Sequence, residues 1–573
     1  MGRKVIRDNL HGDIELTPEE MKLLHTAGFE RLHGCRQLGL SHLIYPGAKH
    51  SRFEHVLGVM HVADKIAERM QEEKCFFVES EGEELRRILR FSALLHDMGH
   101  VPFGHTLEDE MPVIPKHDRP SSDRTKPSRM EVAVSEVLND SGNARYIGPV
   151  LQVLRAIAES KDDDEVYESV KAGDIKPEYL VLADIIGNTI CADLLDYIKR
   201  DHSMTGIRAT YDSRIFRYFG VDEHKVEGHK GYKRVVIQLV RHGRVRNDVL
   251  ADLLDILKLR YNLADKVLFH PKKCAADAML IRAVSLSGLA KDENKLMQFS
   301  DDGLLDHLRE SPLIAMIRRW SLFKHVFVCG KNQINTYNDH YQKNDLIKNL
   351  HTDEELRKRV ETSVEKEVGL PTNQNSVLIF CPSPKMMLKS VRALVKWKDG
   401  TVRRLNEIGD EDDSLVHKQV TMLQDIYPQL WKLYLFCQPN LRSLGKRVEA
   451  AFCEILEDAA GLTAACDPAH RHYLREGCSD YRLGLRLDQQ LESHPEVKKL
   501  PKNERDAVAV LSHARIPPDP LSDEYADSDT KVLASRQDDP AVRSKLNEII
   551  DSVLKERKSS SSSGQLSLVD PKG

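Results

Sequence analysis

The apolar positions of the first 300 residues recur with the period of an α-helix. In HVLGVMHVADKIAERM (55–70) they form one broad apolar face, as expected for a helix that packs on a core. Four segments share this pattern: 55–70, 84–100, 181–202 and 270–288. Pro271 fits the last segment because proline is tolerated in the first turn of a helix. We therefore predict a mainly helical domain over residues 1–300.

Short apolar or alternating runs, bounded by turn residues, replace the helical period after residue 300. These runs are HVFVCG (325–330), SVLIFC (376–381), ALVKWKDGTVRRL (393–405) and LYLFC (433–437). Asp399-Gly400 is typical of a hairpin turn. We predict one small antiparallel sheet, covered by the helix KRVEAAFCEILEDAAG (446–461), in an α+β lobe over residues 301–485.

The remaining segment, residues 486–573, is charged and rich in Pro, Asp and Ser. It ends in KSSSSSGQLSLVDPKG, which has too few apolar residues to offset the entropy lost on ordering. We expect one late helix at 541–558 and then a disordered tail.

Composition narrows the function classes. The 573 residues are 41% hydrophobic, enough for two or three domains with a substantial core. The chain has no long apolar run and no apolar leader, so we expect a cytoplasmic protein without membrane contact. Its 10 cysteines contain no CxxC pair, which favours reduced thiols. The net charge of −5 gives no broad attraction to nucleic acid, although a local basic pocket is compatible with it.

Histidines are dense in SRFEHVLGVMH (51–61) and LLHDMGHVPFGH (94–105). Imidazole and carboxylate together suit a divalent cation, and His96-Asp97 can place a nitrogen and an oxygen in one coordination sphere. Taken alone, such a dipeptide is more often an ordinary polar pair at a helix end. Here it follows the apolar stretch FSALL, and a buried charge must be paired or coordinated. We therefore favour a role as metal ligands.

The chain resembles the HD-domain dNTP triphosphohydrolase family, which includes the bacterial dGTPases and the animal SAM- and HD-domain enzymes. Five blocks carry the resemblance, in the family's order, over the first half of the chain: DNLHGDIELTPEE (8–20), FERLHGCRQLGLSHLIYPGAKHSRFEHVLGV (29–59), LLHDMGHVPFGH (94–105), DLLDYIKRDHSMTG (193–206) and FHPKKCAADAML (269–280). A further block, at 381–408, is also similar to the family but is less specific to it. The implied fold is a helical HD-domain core with a smaller α+β C-terminal lobe.

The resemblance implies four metal ligands: His55, His96, Asp97 and Asp193. Two nitrogens and two carboxylate oxygens leave coordination positions for water and substrate, as in a catalytic site. The implied cofactor is one divalent ion, and the ligand types do not choose among Mn, Mg, Fe, Ni and Zn.

The resemblance also implies groups that transfer protons beside the metal. His100 and His105 are expected to face the substrate phosphates. Glu108, three residues after His105, is expected to orient that imidazole as a proton donor. The structural alternative is that His105 caps the next helix and that Glu108 is a solvated acid.

Further positions are assigned to the substrate. Arg52 is the expected phosphate clamp, because a guanidinium group matches the geometry of phosphate oxygens. Tyr197 and Asp201 follow Asp193 at i+4 and i+8, and are expected to line the same pocket. The resemblance adds contacts to the triphosphate, sugar and base: Arg260, His270, Gln37 and Leu38.

Several positions depart from the animal enzyme. Leu194 replaces a lysine that contacts phosphate, and Leu268 replaces a tyrosine beside the sugar, so the preference for deoxynucleotides stays open. His25 stands where that enzyme has an aspartate that reads guanine at an activating site. Lys4 and Val5 match other residues of that site, and a nucleotide activator between subunits stays among the expectations.

The leading hypothesis is hydrolysis of a dNTP at the α-phosphorus by a homo-oligomer (dimer, tetramer or hexamer), giving the deoxynucleoside and triphosphate. A phosphodiesterase or nuclease acting on nucleic acid or a cyclic nucleotide is the second reading, and a catalytically silent nucleotide sensor is the third. The expected biological role is control of dNTP pools or antiviral defence against phage.

Overall fold

The computed structural model describes residues 4–78, 82–117, 127–160, 162–330, 345–372, 374–383 and 392–460. Helices dominate these residues, which confirms the mainly α fold class. The helices of the first 300 residues are α1 (Pro18–Leu24), α2 (Ala27–His33), α3 (Arg52–Glu72), α4 (Gly82–Leu95), α5 (Arg129–Asp140), α6 (Ile147–Glu159), α7 (Asp163–Ala172), α8 (Pro177–Gly187), α9 (Ala192–Thr205), α10 (Asn247–Leu263), α11 (Pro271–Ser287) and α12 (Glu293–Leu296). Those that follow are α13 (Asp301–His307), α14 (Pro312–Arg318), α15 (Asp345–Thr352), α16 (Glu354–Val368), α17 (Asp410–Ile426) and α18 (Gly445–Ala460).

Short strands accompany the helices in four small sheets of the described residues. The strands are β1 (Lys4–Asp8), β2 (Gly12–Leu16), β3 (Phe219–His224), β4 (Tyr232–Ile237), β5 (Val240–Arg241), β6 (Arg244–Val245), β7 (Lys324–Gly330), β8 (Val377–Phe380), β9 (Leu394–Lys396), β10 (Val402–Arg404) and β11 (Lys432–Cys437). The sheet orders are β1-β2, β10-β9-β4-β3, β7-β11-β8 and β5-β6.

Helix α3 is the centre of the helical core and packs against both α4 and α9. It begins after Ser51, whose side chain accepts from the backbone N–H of Glu54, while the Glu54 carboxylate accepts from the backbone N–H of Ser51. This capping box satisfies two donors that a helix start leaves without partners. The apolar face predicted over 55–70 is buried, so the helix prediction is confirmed.

Helix α4 ends earlier than the periodicity of 84–100 predicts. The last helical residue is Leu95, and a series of turns follows. Nδ1 of His96 lies 2.8 Å from the carbonyl oxygen of Ala93, a group that a continuing helix would need for its own ladder. Arg31 donates to the carbonyl oxygens of Met98 and His100, which fixes the turns that follow.

The single helix predicted over 181–202 is wrong, because the chain breaks between α8 and α9. Nδ2 of Asn188 donates to Asp184, and its Oδ1 accepts from the backbone N–H of Thr189. These local bonds compete with helix continuation. The break places Asp193 in the first turn of α9, where the helix dipole favours a carboxylate.

The predicted strands after residue 300 form, but not as one sheet. Strands β7, β11 and β8 make one antiparallel sheet, whereas the β9–β10 hairpin joins β3 and β4 from the helical region through a parallel pair at Ile237 and Val395. Alternation of apolar and polar residues identifies a strand but does not specify which strand it pairs with, and the single-sheet prediction failed for this reason. The face of the β7-β11-β8 sheet packs on α11 in a second apolar core.

The described residues fall into two compact units. Residues 4–330 with 345–443 belong to the first, and residues 444–460, which contain α18, belong to the second. The helix predicted at 446–461 is present over Gly445–Ala460. The predicted late helix at 541–558 and the tail lie outside the described residues, and the predicted bounds at 300 and 485 stay predictions. Among the described residues, no helix has the length and apolar character needed to cross a bilayer.

We expect Phe436→Ala to lower the free energy of unfolding by about 3–5 kcal/mol, because it removes a fully buried ring from the second core. Urea unfolding followed by circular dichroism measures this change. The matched control is Met422→Ala, whose side chain is exposed and whose loss should matter little. Equal stabilities of the two variants would contradict the assignment of this core.

Candidate metal centre

Three helix ends deliver the four predicted ligands to one place. His55 lies in the first turn of α3, His96 and Asp97 directly follow α4, and Asp193 lies in the first turn of α9. Because α3 packs on both other helices, their ends meet beside His55. The helix ends found in the structure, and not the longer helices predicted from periodicity, create this arrangement.

The distances within the centre are short. Nε2 of His55 lies 3.1 Å from Oδ1 of Asp193 and 3.9 Å from Oδ2 of Asp97. Nε2 of His96 lies 3.4 Å from Oδ1 of Asp97 and 4.0 Å from Oδ1 of Asp193. The ligand atoms of His55, His96 and Asp193 all lie within 4.8 Å of one another, as atoms that share one ion do.

The hydrogen bonds of the two imidazoles fit a metal ion. Nδ1 of His55 faces Oδ2 of Asp196 at 2.9 Å, and Nδ1 of His96 faces the carbonyl oxygen of Ala93. Each Nδ1 therefore carries a hydrogen, which leaves each Nε2 as the atom that would bind a metal ion. Nε2 of His96 is buried and makes no hydrogen bond, which a metal ion would remedy. The residues present therefore fit a divalent ion.

The electrostatics of the centre demand positive charge. Burial lowers the pKa of His55, but Asp193 and Asp196 outweigh it and raise that pKa to about 10. Burial raises the pKa of Asp97, but His96 and Arg52 outweigh it and hold that pKa well below its usual range. Without a metal ion, a proton on His55 thus supplies the charge that the carboxylates require.

Arg52 lies inside the centre, with only 2% of its surface exposed. Its Nη1 donates to Oδ2 of Asp97 at 2.6 Å. A Cβ on Gly104 would lie 2.6 Å from Nη2 of Arg52, so the loop passes directly over the guanidinium group. Arg52 therefore links a predicted ligand to the loop that carries His100 and His105, and its role as a phosphate clamp stays a prediction.

A second group of ionisable side chains adjoins the first. Nε2 of His100 lies 3.5 Å from Oδ1 of Asp97, and its ring centroid lies 3.6 Å from that of His117. Oε2 of Glu108 lies 3.0 Å from Nδ1 of His100 and 2.8 Å from Nδ1 of His117. Arg129 donates to the other oxygen of Glu108 at 2.9 Å, which balances its charge.

The expected pairing of Glu108 with His105 is therefore wrong. Nδ1 of His105 lies 2.6 Å from Oδ2 of Asp109 instead. Residues Thr106–Glu110 form a π-helical turn, which is wider than an α-helical turn. The side chain at i+4 then aligns with His105, whereas the side chain at i+3 points toward His100.

The two loop histidines lie in different environments. Burial, followed by the charge of Arg52, lowers the pKa of His100 to about 4, so this ring is neutral near pH 7. The side chain of His105 is exposed. Burial raises the pKa of Asp109, but His105 and Lys116 outweigh it and keep that pKa below its usual range. An ionised carboxylate thus orients the His105 ring.

Two of the predicted substrate residues, Leu38 and Tyr197, contribute to one apolar cluster. Leu38 packs there with Ala48, Leu263 and Val267, and Tyr197, Tyr45 and Leu268 lie against it. Oε1 of Gln37 and Nε of Arg260 are buried without hydrogen-bond partners. His270 caps α11, and its ring contacts Tyr45 edge-on at 6.4 Å. Apolar contacts beside partnerless polar atoms are typical of a ligand pocket.

Asp201 differs from this group because it is buried with its own partner. Its Oδ1 lies 2.8 Å from Nε2 of His50, while Nδ1 of His50 is buried without a hydrogen bond. A substrate contact by Asp201 stays a prediction.

Sequence reasoning missed several residues that support the site: His11, Arg31, His50, Asp109, Arg129, Asp196, Arg200 and Asp301. Oδ1 of Asp301 accepts from the backbone N–H of Phe103 at 2.8 Å, and Oδ2 accepts from that of Arg36 at 3.0 Å. Phe103 has φ +59°, a strained value for a residue with a side chain. Only Asp196 carried a usable signal, its spacing of three residues from Asp193 on one helix.

We expect metal binding to weaken as the pH falls. At pH values below about 10 the metal-free His55 holds a proton that the ion must displace, whereas Asp97 and Asp193 are already ionised. The apparent affinity for Mn²⁺ should thus fall about tenfold per pH unit between about pH 8 and pH 6. Calorimetric titrations in buffers of different ionisation enthalpy count the released proton. An affinity that does not change with pH would contradict the assignment.

Comparison with known proteins identifies a domain over the residues that form this centre. The HD domain family model matches residues 52–201, a range that contains all four predicted ligands. An uncharacterized protein of Methanocaldococcus jannaschii is 27% identical over 475 residues, which cover 80% of this chain and 88% of that protein. A crystal structure of a hypothetical protein from Aquifex aeolicus superposes with a TM-score of 0.51 at 20% identity, covering 78% of this chain and 100% of that chain. This likeness shows the fold.

Two relatives named by their activity are also similar to this chain. The deoxynucleoside triphosphate triphosphohydrolase SAMHD1 of Mus musculus is 27% identical over 325 residues, which cover 52% of this chain and 47% of that protein. The enzyme of the same name from Homo sapiens is 31% identical over 231 residues, 38% of this chain and 36% of that protein. The chain thus spans about half or less of these two relatives. The chain thus contains an HD domain over residues 52–201 and is similar to the deoxynucleoside triphosphate triphosphohydrolases named above.

Proposed function

We propose that this protein is a metal-dependent phosphohydrolase that converts a dNTP into the deoxynucleoside and inorganic triphosphate. The observation that carries this proposal is the convergence of His55, His96, Asp97 and Asp193 on one centre, next to a loop with two further histidines. This arrangement supplies ligands for one divalent ion and separate groups for proton transfer.

The reaction adds water at the α-phosphorus, breaks the bond between phosphorus and the 5′-oxygen, and delivers a proton to that oxygen. A divalent ion bound at the centre would activate water and screen the phosphate charge. His105, oriented by Asp109, is the proposed donor of the proton to the leaving oxygen. Arg52, fixed by Asp97, is the proposed donor of hydrogen bonds to phosphate oxygens.

The nucleoside is proposed to occupy the apolar cluster around Leu38 and Tyr197. Gln37 and Arg260 carry buried polar atoms that a base, sugar or phosphate would satisfy. Leu268 supplies an apolar contact at the edge of this cluster and no hydrogen-bonding group. These side chains support a nucleotide substrate, and a panel of substrates decides between deoxynucleotides and ribonucleotides.

Assembly and regulation form part of the proposal. Val5 on β1 is 56% exposed, and an apolar side chain on an edge strand suits a contact between subunits. A homo-oligomer with a nucleotide activator beside Lys4 and Val5 is consistent with this exposure. The cysteine pattern favours a reducing compartment, so the proposed location is the cytoplasm, where dNTP removal would limit precursor pools or restrict phage.

Anion-exchange chromatography of the products tests the reaction. The four dNTPs, singly and in pairs, the four NTPs and single-stranded DNA are each incubated with Mn²⁺, Mg²⁺ or Co²⁺. We expect triphosphate and deoxynucleoside from one or more dNTPs, and loss of activity in Asp97→Ala. The surface variant Asp306→Ala is the matched control, because Asp306 is exposed and pairs only with Arg318 among the described contacts. Release of pyrophosphate, or cleavage of DNA alone, would refute the proposed reaction.

The pairing of His105 with Asp109 gives a separate prediction. Asp109→Asn should lower kcat about 100-fold, because it removes the charge that orients the proton donor, and should leave the metal content unchanged. His105→Ala should lower kcat similarly, and the double variant should lose little more, since the two residues act as one unit. Steady-state kinetics with metal analysis measures these effects. An unchanged kcat in Asp109→Asn would refute this role.

A further inference from the structure

The turn of the N-terminal hairpin reaches the back of the metal centre. Strands β1 and β2 pair from Lys4 to Leu16, and the turn between them begins at Asp8. Oδ1 of Asp8 accepts from the backbone N–H groups of Leu10 and His11, both at 2.9 Å. These bonds order the turn locally and fix the position from which the His11 side chain extends.

Asp196 connects this turn to His55. Its Oδ1 lies 2.7 Å from Nε2 of His11, and its Oδ2 lies 2.9 Å from Nδ1 of His55. Because an ionised carboxylate only accepts hydrogen bonds, both ring nitrogens that face it carry hydrogens. Arg200 donates to both oxygens of Asp196 at 2.9 Å. The carboxylate is thus held by contacts on both of its oxygens.

The network is closed and buried. Nη1 of Arg200 donates to Oδ2 of Asp8 at 2.9 Å, so Arg200 lies between two carboxylates. The side chains of Asp196 and Arg200 are fully buried, which makes each of their contacts costly to lose. Gly58, one turn after His55 on α3, permits this approach, since a Cβ there would lie 1.9 Å from Oδ1 of Asp196.

The hairpin has anchors that do not involve His11. Ile14 and Leu16 of β2 are buried in the main apolar core. Arg7 and Asp13 form an exposed ion pair across the two strands. Removal of the His11 side chain therefore leaves the hairpin folded and in place, and changes the surroundings of Asp196.

We propose that His11 is a positioning residue for the metal ligand His55. It fixes one oxygen of Asp196 so that the other oxygen holds the His55 ring with Nε2 directed at the metal. Partners of metal-bound imidazoles orient the ring and increase its basicity as a ligand. The inference rests on the proposed metal site but not on the identity of the nucleotide. It makes the N-terminal hairpin part of the metal centre.

Co²⁺ binding to the full chain, after removal of its metal by chelation, tests the inference. Competition with a chromophoric chelator gives the dissociation constant, and the visible d–d bands report the ligand geometry. We expect His11→Ala to weaken Co²⁺ binding about tenfold and to shift the bands. His11→Gln should recover most of the affinity, because its side-chain amide can donate to Oδ1 of Asp196. The matched control Arg7→Ala, in the same hairpin, should change neither quantity.

The inference is overturned if His11→Ala binds Co²⁺ with an affinity within about twofold of the wild type and shows unchanged bands. Loss of a partner of a metal-bound imidazole should have a larger effect. Far-UV circular dichroism checks that each variant folds. If His11→Ala does not fold, His11→Asn replaces it, because the asparagine side chain is polar but too short to reach Asp196. A wild type that binds no Co²⁺ refutes the metal site and the inference together. A wild type whose Co²⁺ affinity depends on His11, but which hydrolyses no dNTP, supports the inference and refutes only the proposed reaction.

Discussion

Compensation of buried negative charge is the constraint on which this structure depends. Asp97 and Asp196 are buried, and Asp193 adjoins them, within contact distance of one imidazole, that of His55. Isolated carboxylates in such a position would cost several kcal/mol each. Arg52 on one side and Arg200 on the other supply part of the required positive charge. A divalent ion bound at the centre would complete the balance, so the requirement for positive charge that constrains the fold also favours metal binding.

The positions at which the helices end determine where the predicted ligands lie. Helix α4 stops at Leu95, and the break before α9 brings Asp193 into a first turn. If α4 had continued past Leu95, or if α8 and α9 had formed one helix, the side chains of His96 and Asp193 would follow regular helix faces. Such positions would direct them away from His55. The local bonds of His96 and Asn188 that end these helices therefore have a functional consequence.

Periodicity predicted the helical class, whereas the four candidate ligands came from a resemblance that short sequence motifs carry. The structure brings these four side chains close together, and their role as ligands stays a prediction. The sequence did not predict which carboxylate faces His105, because that depends on a π-helical turn, and no residue pattern in this segment indicates such a turn. It also missed His11 and Asp301, whose partners lie 185 and 198 residues away in the chain. Contacts over such separations are set by the packing of the whole fold. The partners of β9 and β10 were missed for the same reason.

X-ray absorption spectroscopy of the metal-loaded protein tests the central claim most directly, because it reads the ligands of the bound ion. We expect two imidazole nitrogens and carboxylate oxygens at about 2.0–2.2 Å from a zinc probe. The imidazole signal should fall by half in His96→Ala. A spectrum without imidazole scattering, or with sulfur ligands, would contradict the proposed metal centre.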